Sequence, residues 1–233
     1  MGEVIILPET TRKPITLMGK RAGICWGGDI SDDQKNYQRG LDCLKKNHGR
    51  VLEFVNIETV FKGWSARVIR EWYTHIGGAP TRLQASTRYI DYSEFDYVIP
   101  KSIDTPEQSA TYCAIMNEIK DTSQRLKELG VPREDIGLIL PLAMRTVNVD
   151  KRNLRNAIDM SHQRECSRTY WEYRGLFAEY KKQLRSIDDE WAYIVDHCFK
   201  PKCEVLGYCP EGKPCKKKFR KEDLLSQTEL FWS

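Results

Sequence analysis

The sequence predicts an α+β or mixed fold on three observations. Long stretches with helical periodicity dominate the second half of the chain. A few short apolar or alternating runs read as strands. No internal repeat suggests a solenoid or propeller.

The elements follow in order. Residues 3–7, with Val4, Ile5, Ile6 and Leu7, read as a first strand, and residues 32–46 as a helix with Asp32 and Asp33 near its start, where the macrodipole favours acids. Val51 to Phe61 alternates as a strand. Trp64 to His75 carries Val68, Ile69, Trp72 and Tyr73 on one helical stripe, and the helix is expected to end at Gly77-Gly78. Tyr89 to Val98 is aromatic-rich and extended. Thr105 as N-cap with Pro106 in the first turn opens a strong helix that closes at Gly130. Pro132 starts a short helix toward Ile139, Arg145 to Val149 is strand-like, and residues 151–160, 166–185 and 187–199 are helical. From Lys200 the chain turns Gly-, Pro-, Lys- and Cys-rich. One domain over residues 1–197, with a tail over 198–233 packed on it, is the expected organisation.

Composition sets bounds on function. The chain has 233 residues, 40% hydrophobic and 30% charged, typical of a globular protein. No apolar run approaches the roughly 20 residues that span a bilayer. The start, Met-Gly-Glu-Val-Ile-Ile-Leu-Pro, lacks the basic head and apolar core of a secretory signal, so a cytoplasmic location without membrane partners is expected. A net charge of +4 is mild; it suits small anionic ligands and does not demand nucleic acid. Cys25, Cys43, Cys113 and Cys166 are scattered and read as small buried hydrophobes. Cys198, Cys203, Cys209 and Cys215 crowd the tail beside His197. They are either zinc ligands or free thiols, and their spacings lack the tight Cys-x-x-Cys of common zinc sites. Lys216-Lys-Lys218 with Phe219, Arg220 and Lys221 is a basic cluster, either a solvated face or a nucleic-acid patch.

Two arrays could carry chemistry. Arg70 to Tyr89 packs His75, the Gly77-Gly78 turn, Arg82 and the Gln84-x-Ser86-x-Arg88-Tyr89 motif into a short space. Arginine holds phosphate in a planar fork, and a glycine turn lets backbone N–H groups approach an anion. An ordinary helix, turn and polar strand would read the same way. The second array is Asn153-x-Arg155 through Asp159, His162 and Arg164. There Arg155 and Asp159 share a helical face and could simply form a surface ion pair.

Together these arrays resemble the flavin-dependent thymidylate synthases (the ThyX family), in the right order over nearly the whole chain. Arg21-Ala-Gly-Ile-Cys25-Trp resembles the family's Ala-Arg-x-Cys-Tyr segment. His48-Gly-Arg50-Val-Leu-Glu53-Phe resembles its His-x-Ser/Thr-x-x-Glu-His segment. Arg70-Glu-Trp-Tyr-Thr-His75-Ile stands at its Arg-Gln-x-x-Arg-His-Arg, and Gln84-x-Ser86-x-Arg88-Tyr89 at its Glu-x-Ser-x-Arg-Tyr. Leu140-Pro141, Asn153-x-Arg155 and Arg164-x-Cys166-x-Arg168-x-x-Trp171-Glu172-x-Arg174 match its second half, and Gly207-Tyr-Cys209-Pro-Glu-Gly212 resembles a tail segment of many members.

The resemblance implies an antiparallel sheet flanked by long helices, in a homotetramer whose subunits share active sites. It implies reductive methylation of dUMP to dTMP without a cysteine nucleophile, with FAD as hydride carrier, NADPH as reductant and methylenetetrahydrofolate as carbon donor. Carried over, Ser86, Arg88 and Arg164 are catalytic, and with Gln84 they hold dUMP. His48, His75, Asn153 and Arg155 contact FAD or folate, and Gly77 and Gly78 become candidates for the FAD phosphates.

Departures from the pattern keep other readings open. Thr74 and Ile76 replace both arginines of Arg-His-Arg, and about two extra residues near Gly77-Gly78 follow. Gln84 replaces a glutamate. Gly137 falls where an arginine is expected, with Arg145 a candidate substitute, and Arg82 could replace a lost charge. A different C5-modified pyrimidine product, such as a hydroxymethyl nucleotide, or a catalytically silent nucleotide- or flavin-binding protein whose tail binds RNA or a partner, remain alternatives.

Overall fold

The computed structural model describes residues 2–224. Four strands form one sheet in the order β1-β2-β4-β3: β1 (Glu3–Ile6), β2 (Asn56–Ser65), β3 (Thr81–Gln84) and β4 (Arg145–Asn153). The helices are α1 (Pro14–Cys25), α2 (Asp33–Lys45), α3 (Gly49–Leu52), α4 (Ala66–Trp72), α5 (Pro106–Glu128), α6 (Arg133–Ile136), α7 (Leu154–Arg164), α8 (Trp171–Arg185), α9 (Asp189–Cys198) and α10 (Lys202–Leu206), with a 3-10 turn at Gly137–Ile139. The class is α+β. β2 and β4 are antiparallel: the Ala66 N–H donates to the Met144 carbonyl, and at the other end Leu154 N–H donates to Val55. No helix of the described residues is long and apolar enough to cross a membrane.

The chain divides into two compact units. The first comprises Met1–Ile5, Val60–Thr74 and Arg82–Asp150. There α4 starts after Ser65, whose Oγ accepts the Val68 N–H at 3.1 Å. Its Val68, Ile69 and Trp72 are buried, and Trp72 meets Phe61 edge-on at 4.5 Å. α5 has the expected Thr105 cap, completed by Gln108 into a capping box. Met116 of α5 packs with Phe95 and Met144 in a second small core, edged by Tyr92, Tyr97 and Tyr112.

The second unit comprises Ile6–Thr59, His75–Thr81 and Lys151–Ser233. α1 and α2 pack backbone to backbone. A Cβ on Gly19 would lie 1.7 Å from the Asn36 carbonyl oxygen, and one on Gly40 1.9 Å from that of Ile15. α9 is capped by Asp188, which accepts the Trp191 N–H. Ile15, Met18, Leu154, Met160, Tyr173, Phe177, Tyr180, Trp191 and Ile194 form this unit's core.

Several expected boundaries move. Val51 and Leu52 belong to the short helix α3 rather than a strand, because one helical turn leaves too few residues to show its period. Trp64 and Ser65 end β2, so α4 begins later than its apolar stripe suggested and stops at Tyr73, before the glycines. Residues 151–153 extend β4, and α7 starts only after Asn153. Residues 89–98 are irregular, with turns at 89 and 93–94 and one bridge from Tyr97 to Met144. α1 was not expected; its Gly19 and Gly23 weaken the helical signal.

Candidate active site

In the second unit, three segments meet at the start of α7. Asn153 caps that helix, its Oδ1 accepting the Asn156 N–H at 2.9 Å. Its amide nitrogen lies against Gly78, where a Cβ would stand 2.3 Å away. Gly78 also has φ +72, so both space and backbone call for glycine. Arg155 donates to Glu53 Oε1 at 2.7 Å, in place of the helical pair with Asp159 that spacing suggested. The Arg155 guanidinium also lies 3.2 Å from where a Gly49 Cβ would stand. Asn153 and Arg155 therefore tie the Gly77-Gly78 turn to the His48-Gly49 turn. His48 lines a cavity of about 630 Å³ with Arg21, Cys25, Trp26, Arg50 and Phe54, and Arg21 stacks over Phe54 at 5.8 Å. The matched segments around residues 21–26 and 48–54 thus share one cavity.

His75 is buried beside this array. Its Nε2 accepts a hydrogen bond from Arg164 Nε at 2.8 Å, and Arg164 stacks over the Tyr173 ring at 4.5 Å. Burial, and then the Arg164 and Arg152 charges, pull the imidazole down to about 4. His75 is therefore neutral near pH 7. Because arginine can only donate, the imidazole proton sits on Nδ1.

The first unit holds the other array. Gln84 ends β3, with its Nε2 a long 3.5 Å from Thr146 Oγ1. Ser86 shapes a turn: its Oγ accepts the Arg88 N–H at 3.2 Å and its carbonyl the Ile90 N–H at 3.1 Å. Arg88 Nε pairs with Glu134 of α6 at 2.9 Å, and Arg133 donates to the Tyr89 carbonyl at 3.0 Å. Gly137 lets Thr87 approach to 3.3 Å of a would-be Cβ. The arginine beside this turn is therefore Arg133. Arg145 donates instead to the Gly63 carbonyl, and Arg82 donates to the Tyr73 carbonyl while stacking on its ring at 4.6 Å.

Sequence reading missed the polar row along β4. Thr146, Asn148, Asp150 and Arg152 are buried, while Val147 and Val149 are exposed. Within the first unit, Asn148 accepts from Tyr73 Oη at 2.6 Å and Asp150 from Trp72 Nε1 at 3.0 Å. Within the second, Arg152 donates to Asn156 Oδ1 at 2.6 Å. The available signal was the strict alternation of Thr, Asn, Asp and Arg with apolar or charged neighbours, which hydrophobicity alone inverts.

The four tail cysteines do not all line one cavity. Burial pushes the Cys198 thiol up to about 11, and Cys198 does not line the cavity that Cys203, Cys209 and Cys215 share with Cys166. Among the described residues, no three His, Cys, Asp or Glu side chains converge on a point that would hold an ion.

The fold and these residues define an α+β protein whose guanidinium, amide and imidazole groups, set beside an aromatic cavity, suit anionic ligands bearing flat rings. Comparison with known proteins narrows the class. The sequence model of one family, described as thymidylate synthase complementing protein, matches residues 7–188. The chain belongs to that family. It is 32% identical over 181 residues to the flavin-dependent thymidylate synthase of Thermococcus onnurineus, covering 73% of this chain and 71% of that protein. It is 27% identical to the protein of the same name from Pyrococcus furiosus, covering 94% and 95%. A crystal structure of thymidylate synthase X from Helicobacter pylori with FAD and dUMP superposes with a TM-score of 0.67 at 16% identity. The match covers 86% of this chain and all of that one, and shows a shared fold.

Proposed function

We propose that this chain is a flavin-dependent thymidylate synthase that methylates dUMP to dTMP, with methylenetetrahydrofolate as carbon donor and NADPH as reductant. One observation carries the reading: curated relatives that bear this name align with the chain almost end to end.

The second unit's residues fit a flavin. Gly77 and Gly78 are exposed, beside the side-chain amides of Asn156 and Asn153, and their turn would offer N–H donors to a phosphate. The cavity around His48, Trp26 and Phe54 offers an aromatic wall to a ring system. FAD held there would, when reduced, supply the hydride of the reaction. Arg155 orders this region through Glu53 and the His48-Gly49 turn. Neutral His75 orients Arg164 by accepting its Nε–H.

In this reading Arg88 and Arg164 hold the dUMP phosphate and polarise a pyrimidine carbonyl, stabilising the charge that develops as C5 becomes nucleophilic. The Ser86 turn and Gln84 position the nucleotide, and no cysteine acts as nucleophile. Self-association into a tetramer with shared sites is part of the proposal. Exposed Trp26, Phe54, Leu83 and Leu138 supply apolar surface for it, and a cytoplasmic location fits the substrates.

Tritium release from C5-labelled dUMP in the presence of methylenetetrahydrofolate, NADPH and FAD tests the assignment. Release dependent on all three supports it. Flavin binding with no release from dUMP would point to a different pyrimidine, and absence of bound flavin to a silent binding protein.

A further inference from the structure

The core-facing side of α8 carries Tyr173, Phe177, Tyr180 and Leu184 at helical spacing, all of them buried. Tyr173 stacks on Phe177 at 6.5 Å, and Phe177 meets Phe199 at 6.1 Å. A ring packed among such neighbours is held in one orientation, and Tyr173 has no solvent exposure. This aromatic row does not end in apolar packing. It meets Arg164, whose guanidinium carbon lies 4.5 Å from the Tyr173 ring centre, well inside the range of an attractive cation–π contact.

His75 completes the group. Its ring meets Tyr173 edge-on at 6.3 Å, and its Nε2 accepts the Arg164 Nε–H at 2.8 Å. The turn after α4, the end of α7 and the start of α8 thus each supply one member. One hydrogen bond to Nε leaves a guanidinium free to swing about the N–H···N axis. A fixed ring face against the same plane removes that freedom. Arginine otherwise carries rotamer entropy that a ligand has to remove on binding. Arg164 is only half-buried and lines two cavities, one of about 460 Å³ and one of about 230 Å³ beside Arg174 and Lys181, so a ligand can reach it.

We propose that Tyr173 is a positioning residue: its ring face, together with His75 Nε2, fixes the plane of the Arg164 guanidinium before the nucleotide arrives. This role rests on Arg164 being a ligand of dUMP. The matched segment Trp171-Glu172-x-Arg174 leaves residue 173 open, so the role belongs to this chain's own tyrosine and its contacts. The ring face acts, and the hydroxyl is not required for it.

Two readouts on the full-length protein test this, one of them independent of any nucleotide. Phenylglyoxal modification, followed residue by residue with peptide mass spectrometry, reports how firmly each guanidinium is held. Arg164 is expected to react about tenfold faster in Tyr173→Leu than in the native protein, with Arg88 and Arg155 unchanged. Tyr173→Phe, which keeps the ring face, is expected to restore the native rate. Calorimetry with dUMP is expected to show about tenfold weaker binding in Tyr173→Leu, rescue in Tyr173→Phe, and no further loss when Tyr173→Leu is added to Arg164→Gln. A native Arg164 rate in Tyr173→Leu, faster reaction at every arginine, or the same loss of dUMP affinity with and without Arg164 would each overturn the proposal. The last two are what a merely structural tyrosine gives. The expected modification pattern in a protein that does not bind dUMP would support the positioning role and overturn the dUMP reading instead.

Discussion

At the scale of single residues, His75 is the group whose environment has the clearest consequence. Its folded value is about 4 against an ordinary 6.5. A depressed base contributes stability that is complete above its unfolded value and is lost as pH falls from about 6.5 toward 4, because only the unfolded chain gains the proton there. Urea titrations across this range should show that slope, and His75→Asn should flatten it. Arg88 gives the second prediction. Arg88→Ala should weaken dUMP binding about 100-fold by calorimetry, as loss of a charge-assisted phosphate contact does. The melting temperature should barely move, because the Glu134 pair it breaks is exposed; unchanged dUMP affinity would sink the assignment. The individual residues were legible as motif members, but their partners were not. That Arg155 would choose Glu53 over Asp159, or that Arg133 rather than Arg145 would brace the Ser86 turn, depends on contacts between segments far apart in sequence.

Among the elements, close helix approach and capping carry the predictions. Gly19→Ala would drive a methyl group to 1.7 Å from the Asn36 carbonyl, so α1 and α2 must separate. A loss of about 3 kcal/mol is expected in chemical denaturation, whereas Gly212→Ala, with open space around it, should stay within about 0.5 kcal/mol. Asn153→Ala removes the α7 cap and should cost about 1 kcal/mol. It should also weaken flavin retention, because the same side chain abuts Gly78; retention equal to the native protein would argue against that turn as the phosphate site. α5 was readable from Thr105, Pro106 and Gly130, since caps write themselves locally. β4 was only half readable because its buried face is polar, and α3 because one turn carries no period.

For the whole molecule, fold and family were legible because several ordered motifs constrain a chain more tightly than any single one. The local departures, Thr74, Ile76, Gly77 and Gln84, left open what the enzyme makes. Those positions are exposed and lie outside the core. The most direct measurement is mass spectrometry of the nucleotide formed from dUMP when the purified, flavin-loaded protein turns over with methylenetetrahydrofolate and NADPH. The expected product is dTMP, one methyl group replacing the C5 hydrogen. Recovery of unmodified dUMP, or of a hydroxymethyl nucleotide, would contradict it.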